Sequence, residues 1–145
     1  MKAIVQRVQK ASVMVSGKSI ADIGNGLLIL LGVGKEDNEE KARMLAEKIS
    51  HLRIFADEQG KMNLSVLDIK GSAIVVSQFT LFADTRKGNR PSFIDVAPPE
   101  IASPLCDRFA EKLQQMGIPT QTGKFGAHML VEILNDGPVT ISLEV

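Results

Sequence analysis

Between Ala73 and Ala83 the chain reads Ala-Ile-Val-Val-Ser-Gln-Phe-Thr-Leu-Phe-Ala. Its first four residues carry no polar side chain, a composition that suits a strand covered on both faces and so the interior of a sheet. Ser77, Gln78 and Thr80 then enter among two phenylalanines and a leucine. If the strand continues, Ile74, Val76, Gln78, Thr80 and Phe82 share one face. Buried amides and hydroxyls need hydrogen-bond partners, so either the fold or a ligand satisfies Gln78 and Thr80. The stretch is expected to floor a site.

The remaining pattern places that floor in a mixed sheet. Leu27 to Val33 is a second fully apolar strand. Met1 to Val8, Ser12 to Val15 and Ile20 to Ile23 read as shorter strands, with turns at Ser16-Gly17-Lys18 and a hairpin at Gly24-Asn25-Gly26. Asp37 or Asn38 caps a first helix, with Glu40 as a capping-box partner and Ala42, Leu45, Ile49 and Leu52 at helical spacing. Short strands are expected over Arg53 to Ala56 and Met62 to Leu67. Pro98-Pro99-Glu100 opens a second helix with Ile101, Leu105, Phe109, Leu113 and Met116 as its buried stripe. Pro104 is tolerable there only in the first turn, and Gly117 ends the helix. After Thr120 to Thr122, His128 to Leu134 and Val139 to Val145 form a final hairpin about Asn135-Asp136-Gly137-Pro138. The fold class is α/β or α+β: mixed, largely antiparallel β layers with two main helices, in one domain over residues 1–145.

Composition narrows the function. The 17 lysines and arginines balance 17 aspartates and glutamates. That balance weighs against coating nucleic acid by bulk charge, although not against touching a few phosphates at an RNA end. No run approaches the roughly 18 apolar residues of a membrane span, and the start carries no long apolar segment, so a cytoplasmic location is expected. The single Cys106 excludes an internal disulfide and reads as a small buried hydrophobe.

Dedicated catalytic machinery is missing. Gly32-Val33-Gly34-Lys35 lacks the spacing of a phosphate loop, and Glu36 stands where a hydroxyl would hold magnesium. Gly123-Lys124-Phe125-Gly126 matches an RNA-clamping GxxG only formally, since a strand is expected after it. His51 and His128 pair with no serine or cysteine and read as structural. An enzyme of this kind acts on a labile substrate, or on one that brings its own reactive group. Two features stay open to function. The loop Asp84-Thr85-Arg86-Lys87-Gly88-Asn89-Arg90-Pro91 leaves the end of the floor strand with three cations, where sites are often built. Gly137-Pro138 reads locally as a turn, but a cis bond there would aim neighbouring carbonyls one way.

Ser77-Gln78-Phe79-Thr80-Leu81-Phe82-Ala83 with Asn135-Asp136-Gly137-Pro138-Val139-Thr140 resembles the two signature motifs of the D-aminoacyl-tRNA deacylases. The likeness extends through Met1 to Val8, Leu27 to Val33 and Gly123 to Gly126, nearly the whole chain. It implies a three-layer fold and hydrolysis of the ester joining a D-amino acid, or mischarged glycine, to the terminal adenosine of tRNA. It further implies a homodimer in which Gly137-Pro138, in cis, enters the partner's pocket and rejects L-amino acids. By that resemblance Ser77, Gln78, Phe79 and Thr80 line the pocket, Arg7 braces the gate, and Phe125 and Met129 hold the adenine. Gln78 and Thr80 are the catalytic candidates, Thr80 as a nucleophile or, by preference, a water-positioning group. The tRNA acceptor end is the partner, with Arg86, Lys87 and Arg90 as candidates for phosphate contact. No cofactor, metal, membrane or DNA is implied. The rival readings are a non-catalytic module binding RNA ends, and a hydrolase using Cys106 or Thr80. Replacement of Gly137 is expected to harm activity with little change in stability.

Overall fold

The computed structural model describes residues 1–145. Its backbone is organised by one long strand, β1 (Lys2–Val15), where the alternation led us to expect two. Ser16 and Gly17, with φ of 49° and 76°, reverse the chain in the left-handed region that two-residue hairpins use. β2 (Lys18–Ile23) and β3 (Gly26–Gly32) then run end to end along the same edge of β1. Ala11 faces Ile23 and Val8 faces Gly26, so the register carries straight across the gap. Gly24-Asn25 is therefore an interruption in one long partner strand and not a hairpin. A hydrogen-bonding partner already lay alongside, and local turn chemistry does not reveal it.

A similar correction applies to the C-terminus. β8 (Leu130–Glu144) is one strand on the other edge of β1. Lys2 faces Glu144 and Gln6 faces Thr140, while Val8 faces Asn135 and Met14 faces Leu130. Both halves pair with β1 and neither pairs with the other. The four residues Asp136 to Val139 stand opposite the single Arg7, three more than the ladder needs, and they stand out as a bulge. On the far side of β3, β6 (Ser72–Ser77) and β7 (Thr120–Thr122) add in parallel. The sheet thus reads β8, β1, β3, β6, β7, antiparallel on one side and parallel on the other.

Both faces of the sheet are covered. Leu27, Ile29, Leu31, Ala73 and Val75 join the main core beneath the helices, while Leu28, Ile74 and Val76 face a smaller core with Val8, Ala11 and Val13. This accounts for the unbroken apolar composition of β3 and β6. α1 (Glu39–Ser50) is capped by Asn38, whose side chain accepts from the Lys41 N–H at 3.0 Å. Asp37 instead ties the chain's start to the loop after β3, accepting from the Met1 ammonium at 2.7 Å and the Gly34 N–H at 2.6 Å. Glu40 closes no capping box and pairs with Arg43.

α2 (Pro99–Gln115) buries Ala102, Leu105, Cys106, Phe109, Ala110 and Leu113. Ile101 is 43% exposed, so the apolar stripe begins one residue later than expected. Pro104 lies within the helix and beyond its first turn, which leaves the Glu100 carbonyl without its usual donor on an exposed face. Gly117, at φ 92°, ends the helix. A two-stranded ribbon, β4 (Phe55–Ala56) with β5 (Met62–Leu64), completes the fold. No helix is long and apolar enough to cross a membrane.

Candidate functional site

β6 stops at Ser77, and Phe79–Phe82 form a short 3-10 turn. The expected run of one strand face through Gln78, Thr80 and Phe82 is therefore broken. The Gln78 N–H still bonds to the Leu31 carbonyl at 2.8 Å, the last rung before the turn. Two glycines of β3 and the loop after it seat this turn. A Cβ on Gly32 would lie 3.1 Å from Leu81 Cβ, and one on Gly34 would lie 2.7 Å from the Phe82 ring. The glycines of Gly32-Val33-Gly34 thus serve backbone approach, a use that the rejected phosphate-loop reading did not foresee.

The polar groups that pointed to a site prove less buried than expected. Thr80 is exposed and Gln78 half-buried, and the Gln78 side-chain amide donates to the Thr80 hydroxyl. No base lies on Thr80 to activate it, since the Gln78 amide that meets its hydroxyl is a donor.

Beside the turn opens a pocket of about 690 Å³, walled by 18 residues of which 13 are hydrophobic. Ser77, Gln78, Phe79, Phe125 and Met129 all line it. Thr80, Arg7, Gly137 and Pro138 do not. Sequence reasoning missed Phe93, Val96, Cys106 and His128, which also line it. Phe93 packs edge-on against Phe79 with ring centroids 5.0 Å apart. Its signal was an aromatic residue directly after a polar loop. Met129 lies against Gly123, where a Cβ would come within 2.7 Å of the sulfur, and that sulfur accepts from the Lys124 N–H at 3.3 Å. Burial, with the charge of Asp107, pushes the Cys106 thiol up to about 12. A thiol held protonated in this way is no nucleophile near neutral pH. His51 lies elsewhere, at the end of α1, with Nδ1 beside the Ser50 hydroxyl and the Glu47 carbonyl.

The bulge of β8 is built differently. Arg7 donates from Nε to the Asp136 carbonyl at 3.0 Å and from a terminal nitrogen to the Ile54 carbonyl at 2.6 Å, and it pairs with the Asp136 carboxylate at 3.2 Å. The Asn135 side chain accepts from the Val139 N–H at 2.9 Å, which closes the base of the bulge. The Gly137-Pro138 bond is cis, and Gly137 has φ 131°. A Cβ there would meet Val139 Cγ2 at 2.8 Å and an Arg7 nitrogen at 3.0 Å. Substitution of Gly137 therefore disturbs the brace as well as the tip. A loss of stability is expected as well, where the sequence led to an expectation of little change.

The cationic loop has a firm base. Asp84 and Ser92 exchange backbone hydrogen bonds of 2.8 and 2.9 Å. Arg86 folds back in a forked pair on Asp84 at 2.9 and 2.7 Å. Those bonds, with the Arg86 backbone N–H, hold the Asp84 carboxyl well below the usual carboxylate range.

With this geometry in hand, known proteins give a consistent picture. A sequence model of the family described as D-Tyr-tRNA(Tyr) deacylase matches residues 4–144. The chain is 61% identical over 144 residues to a protein of Roseiflexus sp. (strain RS-1) named D-aminoacyl-tRNA deacylase, covering 99% of this chain and 93% of that one. It is 56% identical to a protein of the same name from Thermotoga petrophila, covering 99% and 97%. Among solved structures, one titled c-Myc DNA Unwinding Element Binding Protein superposes with a TM-score of 0.94 at 46% identity, covering 100% of this chain and 99% of that one. A probable eukaryotic D-amino acid tRNA deacylase shares the fold, with a TM-score of 0.83 at 16% identity over 99% and 98%. The two motif segments, the pocket that gathers the first and the brace that holds the second thus sit in a chain that belongs to the D-aminoacyl-tRNA deacylase family.

Proposed function

We propose that residues 1–145 act as a single deacylase domain that hydrolyses the ester between a D-amino acid, or glycine, and the 3′-terminal adenosine of tRNA. One observation carries the reading. The first motif lines an apolar pocket, whereas the second stands on a braced bulge outside that pocket. In a homodimer the Gly137-Pro138 tip of one copy enters the pocket of the other and completes it. Arg7 holds the tip in place, and the side chain of an L-amino acid collides with it. A D-side chain points away from the tip, and glycine has nothing to exclude.

The chemistry follows from what the pocket lacks. An aminoacyl ester is already activated, and neither Thr80 nor Cys106 has the partners of a nucleophile. Water therefore attacks the ester carbonyl carbon directly. The oxyanion that forms draws on the N–H groups of Phe79 and Thr80, the opening residues of a 3-10 turn, which have no acceptor inside the turn. As the tetrahedral species collapses, the bond to the ribose 3′-oxygen breaks and the neighbouring 2′-hydroxyl relays a proton, giving its own to the 3′-oxygen and taking in exchange the one that the attacking water sheds, so that acid and intact ribose leave. Gln78 and Thr80 orient water and ester, and Phe125 and Met129 hold the adenine. A tRNA substrate implies a cytoplasmic location.

The test is release of amino acid from matched D-, L- and glycyl-tRNA by the purified protein. Cleavage of the D and glycyl esters with the L ester spared is expected. Equal rates on D and L, or tRNA binding without ester loss above the buffer rate, would sink the proposal, the second in favour of a non-catalytic RNA-end-binding module.

A further inference from the structure

The loop 85–91 joins two pocket walls. At one end the chain leaves the 3-10 turn whose Phe79 lines the pocket, and at the other it reaches Phe93, which packs on Phe79. The paired hydrogen bonds of Asp84 and Ser92 pinch its base, so residues 85 to 91 project as a short ribbon beside the pocket wall. Every residue of that ribbon is exposed.

Its charges divide into two kinds. Arg86 is committed to Asp84 by three hydrogen bonds, one of them from its backbone, and the field of Asp95 also favours its charged form. It belongs to the base. Lys87 and Arg90 form no ion pair, and no acidic residue occurs between Asp84 and Asp95. Gly88, with φ 93°, turns the chain between them. On the pocket's Phe125 segment, Lys124 is likewise exposed and forms no ion pair. Two cations left unpaired on a ribbon anchored beside a pocket form a surface for an anion that extends out of the pocket. A polyanion bound by its end has that shape.

We infer that the ribbon 85–91 is a phosphate-binding arm, in which Lys87 and Arg90 engage the sugar-phosphate backbone of the single-stranded tRNA end just outside the aminoacyl pocket. The inference rests on the deacylase reading of that pocket. It assigns Arg86, one of three candidate cations in the sequence, to structure instead of binding. It also reconciles zero net charge with an RNA substrate, because a few local contacts need no basic surface overall.

The experiment compares wild type with a Lys87→Ala, Arg90→Ala double variant, with circular dichroism confirming that both are folded. Two substrates are used: D-aminoacyl-tRNA and the minimal ester D-aminoacyl-adenosine, which has no phosphate. The quantity read is the ratio of kcat/KM on tRNA to kcat/KM on the minimal ester. The double variant is expected to lower that ratio about tenfold. Each lost single-strand phosphate contact should also flatten the logarithmic salt dependence on tRNA by roughly 0.7. A ratio and a salt slope equal to those of the wild type would overturn the arm. Wild-type protein inactive on both esters would instead refute the deacylase reading. The arm is then judged by binding of uncharged tRNA, where equal affinity of variant and wild type overturns it and weaker binding by the variant upholds it.

Discussion

The two motif regions of this chain are built on opposite principles. Around the pocket the groups are receptive: an apolar wall, an exposed hydroxyl on a 3-10 turn, and a half-buried amide bonded only to that hydroxyl. At the β8 bulge the groups are saturated. Arg7 satisfies two carbonyls and a carboxylate at once, and Asn135 closes the base. A receptive concavity and a saturated protrusion on one chain, not in contact with each other, fit the two halves of the proposed homodimer site. On that proposal, rigidity lies in the part that would judge shape, while the part that would meet a changing substrate keeps its polar groups at the surface. Specificity by exclusion needs an immovable obstacle, and the hydrogen bonds of Arg7 supply one.

The most direct way to break the comparison is to unbrace the protrusion. Arg7→Ala removes every contact just named for it and leaves the Ile54 carbonyl without its donor. Loss of such buried bonds destabilises by about 2 kcal/mol. A tip misplaced by about 1 Å should lower kcat/KM on D-aminoacyl-tRNA on the order of 100-fold. Discrimination against the L ester should weaken in the same variant, and steady-state rates on both esters read this out. A variant of lowered stability with unchanged D/L preference would make Arg7 merely structural.

A smaller effect is expected from the receptive side. Gly34→Ala places a methyl 2.7 Å from the Phe82 ring and lifts the 3-10 turn that carries Phe79 and Thr80. Overpacking of this kind destabilises by about 1 to 3 kcal/mol, and the displaced turn should lower kcat/KM roughly tenfold. The D/L preference should survive, because the protrusion is untouched. Loss of preference here would mean that the pocket itself, and not the tip, reads chirality. The two variants together separate exclusion from positioning.

Much of this arrangement was legible in the residues. β3 and β6 were evident from unbroken apolar composition, and α1 and α2 from periodicity, because burial on two faces or on one stripe leaves its mark locally. What failed depended on partners distant in sequence. Gly24-Asn25-Gly26 and Asn135-Asp136-Gly137-Pro138 both carry turn chemistry, yet neither reverses the chain. The first is bridged by the unbroken register with β1, and the second bulges opposite Arg7, some 130 residues away. Turn residues permit a hairpin or a bulge equally, and only the neighbouring strand decides. The 3-10 turn escaped for a related reason: its seat is made by glycines over forty residues earlier. Of the residues named through the resemblance, Ser77, Gln78, Phe79, Phe125 and Met129 gather at one pocket, whereas Phe93 and Cys106 reach it from segments that carry no motif.

Cys106 offers the finest test, since it lines the receptive pocket yet is expected to do no chemistry there. Burial raises its folded pKa from 9.0 to about 12. In the unfolded chain the thiol ionises near its ordinary value, so the unfolded state loses this proton first as pH rises. The contribution to stability is therefore fully present below the unfolded pKa and falls away between about pH 9 and about pH 12. Cys106→Ala removes that component, so its stability should decline less steeply with alkaline pH than that of the wild type, in denaturant titrations at matched pH. At neutral pH the lost sulfur leaves a small void and costs about 1 kcal/mol. Turnover should stay within about twofold of the wild type, because a protonated thiol supplies no nucleophile. Abolished turnover, or a rate step in the wild type that vanishes with the thiol, would return Cys106 to the mechanism. It would also turn the receptive half of the comparison into a reactive one.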